Sequence, residues 1–361
     1  MSDRSSVVVA MSGGVDSAVA AALLVEQGYE VTGVMLRLWS EPGSEESNRC
    51  CTPDAMAGAR RVAAKLGIPF YALNSQDLFR NVVVQAFMDG YREGITPNPC
   101  ILCNQKIRWG FMFDQAKEMG AEYMATGHYA QLRQTEDGSV ELLRGFDPEK
   151  DQSYVMSVLP QEKLQHTMFP VGGMPKAEVR EHARRFGLSV ADRVDSQDLC
   201  FLAGQDYRSF LARYVPEVVQ PGRIVNSDGY KVGEHNGLAF YTIGQRKGLG
   251  IAAPRPLYVI DKNLGTNELI IGEHNALGRN GLRAVDMNWI SGSAPQAPFS
   301  ADVKIRYRAA LARARINPQG NESITVHFDN PMRDITVGQR IVIYNGNVVL
   351  GGGTIQSSFN I

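Results

Sequence analysis

Short runs of apolar residues alternate with amphipathic stretches through the first part of the chain. Residues 7–10, VVVA, are apolar on both faces, as a strand inside a parallel sheet must be. Residues 15–27 suit a helix whose alanines, with Leu23 and Leu24, pack against that sheet. YEVTGVMLRLW then reads as a second strand. Residues 54–66 read as a helix, with Thr52, Pro53 and Asp54 supplying start signals. IPFYALN is a third strand, residues 105–119 a further helix, and EYMATGHYA a fourth strand. Strands alternating with helices predict an α/β fold with a parallel sheet covered on both faces. Residues 160–190 are expected to be helical, ending near ARRFGL, and 206–214 form a short helix.

The texture changes at Pro216. Short strands and glycine turns follow, with breaks at SDGYKVG, LGTN and EHNALGRNG. Beyond residue 280, the segments DVKIRY, ARARINP, ESITVHFD, QRIVIYNG and VVLGGGTI have the spacing of a small antiparallel barrel. Residues 291–299 read as a loop. The expected division is 1–215, 216–280 and 281–361. The length of 361 residues agrees with two or three domains.

Composition adds exclusions. Apolar content of 44% and charged content of 21% fit a soluble globular protein. A net charge of -1 gives no bulk argument for a nucleic-acid partner, although a local basic patch would suffice. No run of eighteen apolar residues appears, so no membrane span is expected, and MSDRSSVVVAMSGG lacks a secretory pattern. The five cysteines, Cys50, Cys51, Cys100, Cys103 and Cys200, are an odd number. A cytoplasmic enzyme with reactive or metal-binding thiols is more natural than a disulfide framework.

Candidate chemistry begins at AMSGGVDS, residues 10–17, between a strand and a helix. Gly13 and Gly14 permit close backbone approach and positive φ. The helix N-terminus offers amides to an anion, and Ser12 and Ser17 offer hydroxyls. Asp16 can orient the loop or help hold a divalent ion. The loop lacks the Gly-x4-Gly-Lys-Ser/Thr pattern and the three-glycine dinucleotide spacing. SGGVDS resembles the pyrophosphatase loop of the N-type ATP pyrophosphatases, which cleave ATP between its α and β phosphates. That resemblance implies ATP, with Mg2+, at Ala10, Met11, Ser12, Gly13, Gly14, Val15, Asp16 and Ser17. It also places Met35 beside the adenine, whereas periodicity alone makes Met35 core filling.

Cys100 and Cys103 follow TPNP and lead into a helix expected from about residue 104. A thiol near a helix N-terminus is a sensible nucleophile. Cys200 lies in RVDSQDLCFLAG, where Asp195, Ser196 and Asp198 suggest a turn. Structural zinc is disfavoured, because adjacent Cys50 and Cys51 make a poor second knuckle. A [4Fe-4S] cluster on Cys100, Cys103 and Cys200 stays open as an alternative.

Taken in order, MSGGVDS, TPNPxxxCN, TGHYA, DQSY, DSQDLCF, GLxFYTIGQRKGLG, KIRYR and the GGGTI tail resemble the bacterial tRNA-specific 2-thiouridylase family over nearly the whole chain. The resemblance implies that Cys103 is the nucleophile and that Cys200 carries a persulfide, with a disulfide forming between them during turnover. It implies ATP-dependent thiolation of the wobble uridine of tRNA, a persulfide sulfur donor and a cellular reductant. It places Asn98, Pro99, Cys100 and His128 at the substrate, Gly127 at the nucleotide, and Lys150, Asp151, Gln152, Arg306, Tyr307 and Gln339 against tRNA. Many members carry Asp where this chain has Cys100, so three roles stay open for it: positioning, disulfide exchange or cluster ligation. From its residues alone, His128 reads as a packed histidine. Alternation places Lys304, Arg306 and Arg308 on one strand face, a basic surface suited to phosphates. Another adenylating ligase with the same loop, and a non-catalytic RNA-binding or sulfur-carrier protein, are the rival readings.

Overall fold

The computed structural model of the chain describes residues 4–43, 52–193 and 199–360. Its first sheet is wholly parallel. Strands β1 (Ser6–Ala10), β2 (Glu30–Arg37), β3 (Phe70–Asn74) and β4 (Tyr123–Thr126) are joined by a two-residue strand, Thr167–Met168, in the spatial order β3, β2, β1, β4, then Thr167–Met168. Val7, Val8 and Val9 are buried, as a strand covered on both faces requires. Helix α1 (Val15–Glu26) lies against one face, where its alanines share an apolar core with Val179 and Ala183. Helix α2 (Pro53–Leu66) starts as expected: the Thr52 hydroxyl accepts from the Ala55 amide at 3.0 Å, and Gly67 ends the helix in the left-handed region.

Two longer helical runs cover the other side. In α3, Gln76–Phe79, Arg80–Val84 and Gln85–Arg92 follow in succession. In α4, Pro99–Leu102, Cys103–Met112 and Phe113–Glu118 do the same. Both runs widen to π geometry in the middle. Run α4 begins at Pro99, ahead of the expected start, because Asn98 caps it with its side-chain oxygen. The expected helix over 160–190 is interrupted. A short turn at Gln161–Leu164 gives way to Thr167–Met168, and only α5 (Lys176–Arg185) continues as a helix. Pro170 and the Gly172–Gly173 pair break the run. Helix α6 (Tyr207–Tyr214) follows.

The middle sheet has four strands, β7 (Gly222–Val225), β8 (Lys231–His235), β9 (Tyr258–Asn263) and β10 (Glu268–Gly272), in the order β9, β10, β7, β8. The last part is a closed antiparallel barrel of six strands: β11 (Arg279–Trp289), β12 (Phe299–Lys304), β13 (Ala312–Gln319), β14 (Ser323–Met332), β15 (Arg340–Asn345) and β16 (Val348–Phe359). Closure comes from pairing of β11 with β16. An α/β domain, a small mainly β sheet and a barrel are thus present as expected.

One pairing is absent from the local pattern. A hairpin of β5 (Ala130–Gln134) and β6 (Val140–Arg144), which follows β4, extends the barrel sheet: Val348 and Val349 of β16 pair with Leu143 and Leu142. Nearby, the buried Arg340 guanidinium donates to Ser157 Oγ at 2.9 Å, the Ser157 carbonyl at 3.2 Å and the Gly352 carbonyl at 2.8 Å. Burial pulls this guanidinium down to about 10. Among the described residues no helix is long and apolar enough to cross a membrane.

The Arg340 joint gives a stability prediction. Arg340→Met removes the donor and leaves two buried carbonyls without it, at about 1–3 kcal/mol per orphaned group. A loss of about 3 kcal/mol is expected in urea unfolding, with the slope unchanged.

Candidate active site

The phosphate loop is built by β1 and α1. Gly13 has φ +74, and a Cβ there would lie 2.6 Å from the Ala55 carbonyl oxygen, so only glycine fits. Gly14 is the N-cap of α1 and provides no side-chain cap, which leaves the amide-rich end suited to an anion. The Ser17 hydroxyl braces the loop: it accepts from the Ser12 amide at 3.1 Å and donates to the Gly14 carbonyl at 3.2 Å. Asp16 is committed to neighbours. Its Oδ1 accepts from the Tyr129 hydroxyl at 2.6 Å, and Lys176 Nζ sits 2.7 and 2.8 Å from its two oxygens. A metal ion at Asp16 would displace that ammonium, so the carboxylate as placed does not fit a Mg2+ ligand. Met11 and Met35 are buried in the core, and Ala10 is half-buried. The close approach at Gly127 is to protein: a Cβ there would lie 2.6 Å from the Asp16 carbonyl carbon and the Ser17 nitrogen.

Cys103 and Cys200 lie at a different apolar cluster from the one that holds Met11, Val15 and α1. Cys103 is a buried member of an apolar cluster with Phe79, Phe87, Ile107, Phe201 and Phe210, and Cys200 packs against the same cluster. The two residues that the resemblance pairs thus pack on the same apolar cluster. Cys103 stands in the second turn of α4, and Cys100, exposed, stands in the first. The helix N-terminus expected at Cys103 thus belongs to Cys100. No group of three or more His, Cys, Asp or Glu among the described residues is arranged to hold a metal ion, so the three thiols as placed do not fit a cluster. Cys50, Cys51, Asp195, Ser196 and Asp198 lie outside the described residues.

Several positions assigned to RNA are tied into the protein. Asp151 is 4% exposed and accepts from Arg144 Nε at 3.2 Å and from the Gly145 and Ser153 amides at 3.0 Å each, with Lys304 Nζ at 3.7 Å. Gln152 accepts from the Tyr129 amide at 2.9 Å, and Lys150 is half-buried beside it. Strand β12 ends at Lys304, so Lys304, Arg306 and Arg308 do not share a strand face: Lys304 is buried on Asp151, and the other two lie in the following loop. Arg306 donates to the Ile243 and Asp334 carbonyls at 3.1 and 2.8 Å and to Thr336 Oγ1 at 2.8 Å. The outward alternation expected there occurs instead at Arg313 and Arg315 on β13. Tyr307 remains 37% exposed; burial of its phenol and the Asp151 carboxylate push it up, and the Cys100 sulfur adds in the same direction.

Three families match the chain in succession: the tRNA methyl transferase HUP domain at residues 5–204, the tRNA methyl transferase PRC-barrel domain at 208–273 and the aminomethyltransferase beta-barrel domain at 279–355. The tRNA-specific 2-thiouridylase MnmA of Symbiobacterium thermophilum is 46% identical, covering 98% of this chain and 93% of its own. The protein of the same name from Magnetococcus marinus is 44% identical, covering 98% and 100%. The chain belongs to the tRNA-specific 2-thiouridylase family.

Four residues of this 2-thiouridylase-family site carried no signal that stood out in the sequence. Lys176 and Tyr129 hold Asp16, and Arg193 Nη1 donates to the Gly13 carbonyl at 2.8 Å. Arg108, one turn beyond Asn104, donates to Asn104 Oδ1 at 2.9 Å and lies 3.0 Å from His128 Nε2. Apart from the Arg108–Asn104 bond within one helix, each contact joins segments well separated in sequence. His128 is the packed histidine its residues alone suggested: buried, with Nδ1 2.7 Å from Thr126 Oγ1 and both ring nitrogens engaged.

Burial, with the Arg108 guanidinium adding to it, holds the His128 ring well below the usual imidazole range. The folded state therefore keeps this ring neutral while the unfolded chain takes a proton near pH 6.5. Stability is level with respect to this group above that pH and falls as pH drops below it, by at most about 1.4 kcal/mol per pH unit. Urea midpoints at pH 7.5, 6.5 and 5.5 are expected to show the fall, and His128→Gln to flatten it.

Proposed function

We propose that the chain is an ATP-dependent tRNA-uridine 2-sulfurtransferase acting at the wobble uridine. The observation that carries this reading is Cys103 and Cys200 meeting at one apolar cluster, in a chain 43–46% identical over nearly its whole length to tRNA-specific 2-thiouridylases.

The chemistry has a leaving-group problem. The C2 oxygen of uracil departs poorly, and adenylation cures that. The C2 oxygen attacks the α phosphorus of ATP, the bond to the bridging oxygen breaks, and pyrophosphate leaves. The loop from Ser12 to Ser17 supports this step with the backbone amides at the start of α1, while its two serine hydroxyls brace the turn. Sulfur then arrives as a persulfide on Cys200. Either its terminal sulfur attacks C2 and the Cys103 thiolate then cleaves the resulting S–S bond at Cys200 Sγ, or Cys103 attacks Cys200 Sγ first and the sulfide it frees attacks C2. AMP leaves carrying the old C2 oxygen. In both routes the Cys103 thiolate ends bonded to Cys200, and an external dithiol returns two electrons to reset the pair. The apolar lining from Phe79, Phe87 and Phe201 excludes water, which would otherwise hydrolyse the activated base back to uridine. Mg2+, when bound with ATP, neutralises phosphate charge; Asp16 as placed serves Lys176 instead. The reading includes a cytoplasmic setting, an upstream persulfide donor and no iron–sulfur cluster in the catalytic path. An unpaired anticodon nucleotide is cheaper to extrude than one in a duplex, and phosphate contacts make affinity salt-dependent.

Two measurements test this. With tRNA carrying heavy oxygen at uridine C2, the label is expected in AMP, and nucleoside mass analysis is expected to show 2-thiouridine. ATP turnover without RNA thiolation would favour another adenylating ligase, and RNA binding without ATP cleavage a carrier protein. Cys103→Ser and Cys200→Ser are each expected to reduce thiolation below detection while ATP still binds; normal thiolation in either would refute the assigned roles.

A further inference from the structure

The segment 94–98 leads from α3 into the turn that carries Asn98, Pro99, Cys100 and Cys103, and it forms no secondary structure of its own. Pro97 and Pro99 lack N–H groups, so the segment has few ways to fix itself. The Gly94 and Ile95 amides donate back to the Tyr91 and Gly90 carbonyls of α3 at 3.2 and 2.9 Å, and the further anchors come from the other two sheets. From the middle sheet, Lys262 Nζ on β9 donates to the Gly94 carbonyl at 2.8 Å. Gly94 has φ +74, and a Cβ on it would lie 2.5 Å from a methyl of Leu264, so the strand end seats directly on the segment. From the barrel, the Thr96 amide donates to the Val337 carbonyl at 3.1 Å. Gln339 Nε2 donates to the Thr96 and Pro97 carbonyls at 2.9 and 3.4 Å. Arg306 ties the two outer bodies together through the Ile243 and Asp334 carbonyls.

We propose that Lys262 is a positioning residue for sulfur transfer: seated on the Gly94 carbonyl, and acting with Gln339 from the barrel, it fixes the backbone from which α4 presents Cys103. The inference deepens the thiolation reading and rests on it. Helix α4 starts two residues beyond the clamped Thr96–Pro97 unit, so a shift of that unit moves the N-cap Asn98 and carries the helix with it. Gly94 and Ile95 are thus shared between the end of α3 and the middle sheet, while the Thr96–Pro97 unit takes its hydrogen bonds from the barrel. Burial pulls the Lys262 ammonium down to about 8, against the opposing charge of Asp261, which fits a group inserted at a joint rather than extended into solvent.

Lys262→Met keeps the stem and removes the donor. Steady-state thiolation is expected to show a KM for tRNA within about twofold of wild type and a kcat lower by about tenfold, since a misplacement near 1 Å costs up to about 100-fold. Lys262→Arg is expected to restore most of kcat. Independently of turnover, mass-resolved iodoacetamide labelling of Cys103 in the full chain is expected to quicken several-fold in Lys262→Met and in Gln339→Met. Wild-type kcat with wild-type labelling would overturn the proposal, as would a defect confined to KM or an arginine variant as slow as the methionine one. If Lys262→Met does not fold, Lys262→Gln is read by the same labelling. Absence of thiolation by the wild-type chain would sink the functional reading, and the labelling arm would still decide this one.

Discussion

A buried charged joint holds the α/β domain and the barrel in one register. Asp151, from the loop after the 130–144 hairpin, meets Arg144 from its own side and Lys304 from the barrel, and two backbone amides complete its shell. A carboxylate that far from water is tolerable only when every oxygen is matched, because breaking such a set leaves an uncompensated charge. Arg340 repeats the principle a short distance along, with its guanidinium on the Ser157 and Gly352 carbonyls. Small slips between the two bodies would orphan several of these groups at once. The apolar cluster around Tyr154, Val342 and Tyr344 then packs on a seam whose alignment is already set by polar matching.

Within that alignment two different environments are built. The phosphate loop needs a tight strand-to-helix turn, and it is braced by residues from distant segments: Tyr129, Lys176 and Arg193. The sulfur chemistry needs the opposite environment, an apolar wall with a thiol recessed in it. Helix α4 meets both demands. Its Asn104 and Arg108 face the polar side, reaching the Val155 carbonyl at 3.3 Å and the His128 ring, while Cys103 and Ile107 face the aromatic cluster. The π-widened turns from Cys103 to Met112 lie in this division, and such turns recur at functional positions.

Local pattern made much of this legible. The VVVA run, the SGGVDS turn and the Thr52 cap each encode their structure within a few residues, and each took the expected form. Cys103 and Cys200 are singled out by resemblance, and both pack on the same apolar cluster. What failed was non-local. EYMATGHYA looked like one strand, but β4 stops at Thr126 because Gly127 packs on the first turn of α1, a contact invisible in the local sequence. KIRYR alternates like a strand, yet β12 ends at Lys304, where Asp151 captures the ammonium and Arg306 turns to carbonyls of two other segments. The 130–144 hairpin carried no sign of its barrel partner, since pairing across some two hundred residues leaves no mark on periodicity.

That hairpin also governs how the chain can be divided. The first residues of β16 part from β11 to receive Leu142 and Leu143, and Val349 is buried beneath them. A fragment cut just before Arg279 would keep all six barrel strands but expose the backbone edge at Val348 and Val349, a template for pairing with a second copy. The remaining piece would carry an orphan hairpin with Leu142 stripped of cover. The units that family matching separates along the sequence are therefore not separable pieces of matter, and dissecting this enzyme calls for point changes within the intact chain.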